Sequence, residues 1–118
     1  MRVLVILAVV AAIGGYFHLR KPDAPALHPD DPRNATGDNR IVMLAADWCG
    51  YCRRQQKDFE LADVRYRVID VETPEGDRAM KALGRQGVPV TVIGQDVVPG
   101  YDTATLGARL KPLGYDVY

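Results

Sequence analysis

Two cysteines with two residues between them, in Trp48-Cys49-Gly50-Tyr51-Cys52, constrain this chain more than any other feature of its sequence. They follow an apolar run, Ile41 to Ala46, that suits a buried strand, and they precede a stretch with helical patterning. A Cys-x-x-Cys at the end of a strand and the start of a helix brings both sulfurs within bonding reach. The first cysteine then lies where unsatisfied helix amides and the macrodipole favour negative charge, which lowers its pKa and makes a thiolate available near neutral pH. The second lies one turn in, shielded from solvent and placed to attack a mixed disulfide formed by the first. Cys49 is therefore expected to be a nucleophile and Cys52 its resolving thiol.

The same pair excludes other chemistries. These are the only cysteines in 118 residues, so no disulfide scaffold is available. A structural zinc site needs further Cys or His ligands at suitable spacing. The only histidines, His18 and His28, lie far upstream, where they read as solvated linker residues, so no metal is expected. No histidine neighbours the cysteines, and a Cys-His acyl-transfer mechanism therefore lacks its base. Arg53 and Arg54 either add positive potential or are solvated surface residues, while Asp47 opposes a thiolate if it lies close. Fifteen basic residues balance fifteen acidic ones, which leaves no overall field to recruit nucleic acid.

Texture divides the chain into three parts. The unbroken apolar run from Val3 to Ile13, extended through Phe17, makes residues 1–19 a signal-anchor or signal peptide, with residues 3–17 in contact with a membrane. The expected arrangement is a membrane anchor with the folded domain outside the cytoplasm, in the periplasm or an equivalent space. Secretion after cleavage and a cytoplasm-facing anchor are the alternatives. Residues 20–39 carry Pro22, Pro25, Pro29 and Pro32 among polar residues and read as a disordered, flexible linker. Residues 40–118 read as one folded domain.

Within that domain the pattern alternates between strands and helices. Ile41–Ala46 is a strand, Tyr51 to about Leu61 a helix with Phe59 facing the core, and Val64–Val71 a strand. Thr73 caps a helix with Pro74 in its first turn, which ends near Gly84. Val88–Ile93 is a strand with Pro89 near its start, turned by Gly94-Gln95-Asp96 into a short partner at Val97 and Val98. A last helix starts about Thr103, with Leu106, Leu110 and Leu113 at helical spacing and Pro112 where it frays. The order βαβαββα predicts an α/β fold with a central mixed sheet and helices on both faces.

With the aromatic Trp48 ahead of the cysteines and Gly87-Val88-Pro89 downstream, the sequence from Arg40 to about Leu113 resembles the thioredoxin superfamily and, within it, glutaredoxins most. The resemblance implies a thioredoxin-like fold, a thiol-disulfide oxidoreductase activity, and a cis-proline at Pro89 facing the cysteines. A cis bond there exposes the backbone of Val88 for β-type pairing with a disulfide-containing substrate, with Trp48 and Tyr51 flanking it. Pro99-Gly100-Tyr101-Asp102-Thr103 is similar to the family's Gly-Gly-Cys-Asp-Asp segment, which holds the γ-glutamyl end of glutathione. Gly100, Tyr101 and Asp102 are the matching residues, and Asp102 reads equally as the N-cap of the last helix.

Departures from the family pattern are Pro99 for its first glycine, Ala46 for a lysine before the first cysteine, and Gln86 for an arginine before the cis-proline. The buried acid of thioredoxins is Met43 here. The expected partners are protein thiols and disulfides, with glutathione as a co-substrate and no tightly bound cofactor. The alternatives are a redox-inactive binding or assembly module with the same fold, and a metallochaperone using the two thiolates.

Overall fold

The computed structural model describes residues 1–19 and 26–118. Helix α1 (Arg2–Leu19) is formed by the N-terminal apolar run. Among the described residues no helix is long and apolar enough to cross a membrane. This corrects the expected anchor, the membrane contact through residues 3–17 and the location outside the cytoplasm argued from it. The physical reason lies in the run itself: Val3 to Phe17 rises only about 22 Å as a helix, against roughly 30 Å of bilayer hydrocarbon.

The expected linker splits in two. Its residues 20–25 lie outside the described residues. Beyond them the chain is packed rather than free: Asp31 and Thr36 are buried, and a short helix α2 (Arg33–Thr36) lies against the domain. Asp31 is held by Arg33 through paired contacts, the shortest 2.7 Å. The Thr36 hydroxyl donates to the Gly94 carbonyl, and the Gln95 amide donates to the carbonyls of Arg33 at 3.0 Å and Gly37 at 2.6 Å. At Gly94 the backbone turns with φ +58, and a Cβ would stand 2.6 Å from the Asp38 carbonyl oxygen, so only glycine permits this approach.

The domain contains strands β1 (Ile41–Ala45), β2 (Arg67–Asp70), β3 (Val90–Ile93) and β4 (Asp96–Pro99) in one sheet of order β2-β1-β3-β4. β1 runs parallel to β2 and antiparallel to β3, and β3 is antiparallel to β4, which gives the expected thioredoxin-like mixed sheet. Central β1 is buried along its whole length. Helices α3 (Gly50–Leu61) and α5 (Thr103–Leu110) bury Phe59, Leu106 and Leu110 against Ile41, Ile93 and Val98 on one face. Helix α4 (Pro74–Leu83) buries Ala79 and Met80 against Val42, Leu44 and Val92 on the other.

The starts of β2 and β3 both fall later than the sequence reading. β2 begins at Arg67 rather than Val64, because the Val64 amide returns to the Phe59 carbonyl at 2.9 Å and Asp63 adopts φ 54, which closes α3 before the chain can extend. β3 begins at Val90, after Pro89, which has no N–H to give to a ladder. A 3₁₀ turn at Lys111–Leu113, with Pro112 in it, follows α5.

Candidate active site

Cys49 and Cys52 form a disulfide with Cα atoms 5.2 Å apart. The geometry follows from where β1 stops. Cys49 is the N-cap of α3 in an extended conformation (φ −85, ψ 110), and its sulfur accepts the Cys52 backbone N–H at 3.1 Å. Cys52 lies one turn inside and is the less exposed of the two, 1% against 6%. The Val88–Pro89 bond is cis, and the Val88 carbonyl oxygen is 3.8 Å from Cys49 Sγ. Pro89 is in turn tied to the next loop, its carbonyl accepting the Gly100 N–H at 2.7 Å. A groove of about 410 Å³ opens here, lined by Gly84, Arg85, Gln86, Val88, Pro89 and Gly100 among others.

Aromatic groups flank the disulfide. Trp48 is largely exposed, and its indole N–H donates to the Glu72 carboxylate at 2.6 Å. Tyr51, also exposed, stacks on Tyr101 with ring centroids 5.9 Å apart. The Tyr101 hydroxyl donates to Asp58 on α3, and Tyr118 donates to the same carboxylate at 2.8 Å. The bond to Asp58, aided by burial, holds the Tyr101 phenol above its ordinary range. Asp102 is exposed and caps α5. Its two oxygens accept the Thr105 N–H at 3.1 Å and the Thr105 hydroxyl at 2.7 Å, and these bonds lower its pKa.

The sequence-predicted residues Trp48, Cys49, Tyr51, Cys52, Val88, Pro89, Gly100 and Tyr101 are thus brought to one end of the sheet. Asp102 is beside them but turned to its own helix. Arg53 does not serve the sulfur: its guanidinium donates to the Asp47 carbonyl at 2.6 Å. Sequence reasoning missed Glu72, Asp58, Arg85 and the buried pair Gln55 and Thr91. Gln55 was the one with a signal, a polar residue on the helical stripe of Cys52 and Phe59. Among the described residues no group of three or more His, Cys, Asp or Glu side chains is placed to hold a metal ion.

Comparison with known proteins agrees with this geometry. The glutaredoxin family model matches residues 41–98. No curated protein matches the sequence significantly. Among solved structures, a buckwheat glutaredoxin in complex with glutathione is 29% identical over 69% of this chain and 78% of that chain, with a TM-score of 0.54. The holo form of a glutaredoxin from Populus tremula x tremuloides is 27% identical over 69% and 88%, TM-score 0.54. The glutaredoxin-like NrdH-redoxin from Escherichia coli, at 23% identity over 58% and 92% with a TM-score of 0.54, shares the fold.

The chain belongs to the thioredoxin/glutaredoxin superfamily and carries a glutaredoxin-like domain. Its Cys49–Cys52 pair is that of a thiol-disulfide oxidoreductase.

Proposed function

We propose that reduced Cys49 attacks a disulfide of a protein or of glutathione, forms a mixed disulfide with it, and is released by attack of Cys52. The observation that carries this reading is the asymmetry of the pair. Cys49 is the more exposed of the two cysteines, and its Sγ accepts a backbone N–H of the first helical turn and faces the Val88 carbonyl. A thiolate there gains a charge-assisted hydrogen bond and the helix N-terminus, whereas Cys52 has neither advantage.

Substrate backbone aligns along Val88, whose amide and carbonyl make no backbone hydrogen bond among the described residues. The chain of a protein substrate then passes between Trp48 and Tyr51. Glutathione uses the same sulfur chemistry, its peptide in the groove between Arg85 and Gly100 and its ammonium on Asp102. Occupation of Asp102 by Thr105 does not forbid this, because a carboxylate offers about four acceptor sites.

Cys52→Ser should accumulate a mixed disulfide at Cys49 when given a disulfide peptide or glutathione disulfide, and Cys49→Ser should be inert. Mass spectrometry reads both. Full exchange activity in Cys49→Ser, or adducts on Cys52 in the native protein, would refute the assignment.

A further inference from the structure

Beneath the redox pair, α3 buries a polar side chain that the exchange chemistry above does not use. The face of α3 on the sheet carries Cys52, Gln55 and Phe59, and Gln55 is fully buried. Its Nε2 donates to the Thr91 hydroxyl on β3 at 2.6 Å. Thr91 is fully buried too and stands opposite Met43, which packs with both cysteines. The other end of the amide, Oε1, is buried without a hydrogen-bond partner. Leucine or methionine would fill such a site without stranding an acceptor, so packing alone does not account for glutamine.

Helix geometry sets Gln55 beside Cys52. Long helical side chains lean toward the N-terminus, over the residues three and four before them, and three before Gln55 is Cys52. Thr91 holds the amide by its nitrogen, and the oxygen is the end left without a partner. In the disulfide Cys52 has no proton to give. Once reduced it has one, in a pocket of Met43, Ala45, Ala46 and Cys49 with Tyr66, Val71 and Val88 at its margin. Of these only Cys49 and Tyr66 titrate, and burial together with Glu60 pushes the Tyr66 phenol up, so it stays neutral.

We infer that Gln55 Oε1 accepts the S–H of reduced Cys52 and, anchored by Thr91, keeps this cysteine a thiol while Cys49 is the thiolate. Gln55 is a positioning residue: it fixes which sulfur attacks first, and the inference rests on the assignment of Cys49 as nucleophile. A hydrogen bond to the neutral form disfavours the charged one, and the negative end of the amide dipole acts in the same direction. In the resolving step Cys52 loses its proton to water and its sulfur attacks Cys49 Sγ. The bond from Cys49 to the substrate sulfur breaks, and the substrate leaves as a thiolate that takes a proton from water. Two electrons pass from the dithiol to the substrate disulfide, and no further oxidant or reductant is involved.

The test uses reduced full-length protein and dithiobis(nitrobenzoate), which releases one coloured thiol when Cys49 attacks and a second when Cys52 resolves the adduct. Gln55→Met should lower the pH midpoint of the second phase by about one unit. The thiolate fraction at neutral pH then rises about tenfold while its nucleophilicity falls, so the second phase should quicken about threefold. Thr91→Val, nearly isosteric, frees the amide to turn its NH₂ to the sulfur and should shift the midpoint in the same direction. A merely structural amide predicts an unmoved midpoint, and an unmoved or raised midpoint in either folded variant overturns the inference.

Should both variants fail to fold, the native reduced protein decides by carbon-13 titration of its two cysteines, where Cys52 must titrate above Cys49 and the reverse order overturns the inference. A native protein with no first phase at Cys49 refutes the nucleophile assignment and this inference with it. That failure is visible separately, because the midpoint shift is read on the second phase alone.

Discussion

Replacing Thr36 with valine tests whether the segment ahead of β1 belongs to the domain. Thr36 and Gly94 are both buried, and the Thr36 hydroxyl donates to the Gly94 carbonyl. Valine matches threonine in shape but has no donor, so the Gly94 oxygen is left without this partner inside the protein. A buried group deprived in this way costs about 1–3 kcal/mol. Taking roughly 1.5 kcal/mol, a domain of this size should lose about 6–12 °C in Tm. Thr36→Ser keeps the donor and loses one buried methyl, about 0.8 kcal/mol, so it should melt between the two. Thermal unfolding of the full-length chain, followed by circular dichroism, gives the order. Disulfide exchange by the folded variants should be unchanged, since Gly94 closes the opposite end of β3 from Pro89. Native stability in Thr36→Val would refute the claim that residues 31–39 are clamped to the β3–β4 turn.

Gly76→Ala should destabilise by roughly 1–3 kcal/mol in urea unfolding, because its Cβ would meet the Asp70 carbonyl oxygen at 2.0 Å and α4 would have to back away from the end of β2. A neutral substitution would contradict that close approach. Asp31 has its pKa lowered below 3.8, chiefly by its side-chain bond to Arg33. Its contribution is therefore present above pH 3.8 and lost as pH falls through the lowered folded value, and Asp31→Asn should flatten the acid limb of stability between about pH 5 and pH 2. An equally steep limb in the variant would show that other carboxylates set it. Asp102→Ser keeps a capping oxygen for α5 but no charge, and should raise KM for a glutathione mixed disulfide several-fold at near-native Tm. An unchanged KM removes glutathione and leaves protein disulfides as substrates.

What was legible in the sequence was what short-range chemistry decides. Thr73, Pro74 and Gly84 mark the ends of α4 through a side-chain cap, a fixed φ and a left-handed residue, all local, and the structure has them so. Cys49 at the start of α3 and the cis bond before Pro89 were readable from the motif and from the resemblance it carried. Contacts across long separations were not. Thr36 with Gly94, Trp48 with Glu72, and Gln55 with Thr91 join polar residues whose neighbours in sequence give no hint of a partner. Residues 31–39 looked like linker because prolines and charges dominate them, yet one paired aspartate and one buried threonine suffice to seat them on the sheet. At the N-terminus the apolar composition was read correctly as helical but carried too far, since length rather than hydrophobicity sets what a helix can cross.

The source of activation at Cys49 follows from where the nearby charges are committed. Arg53, the cation closest in sequence to the motif, directs its guanidinium to the Asp47 carbonyl, which holds the loop before α3 rather than the sulfur. Trp48 is fixed from the other side by Glu72, a negative group that does nothing to favour a thiolate. In contact with the sulfur is the backbone: the Cys52 N–H at 3.1 Å, at a helix start whose first-turn amides are equivalent to about half a positive charge. Exposed side-chain charges are screened by salt and add little, whereas a helix terminus in direct contact with the sulfur is fixed by the fold. On the proposed reading, the reactivity of Cys49 is therefore a property of the β1–α3 junction.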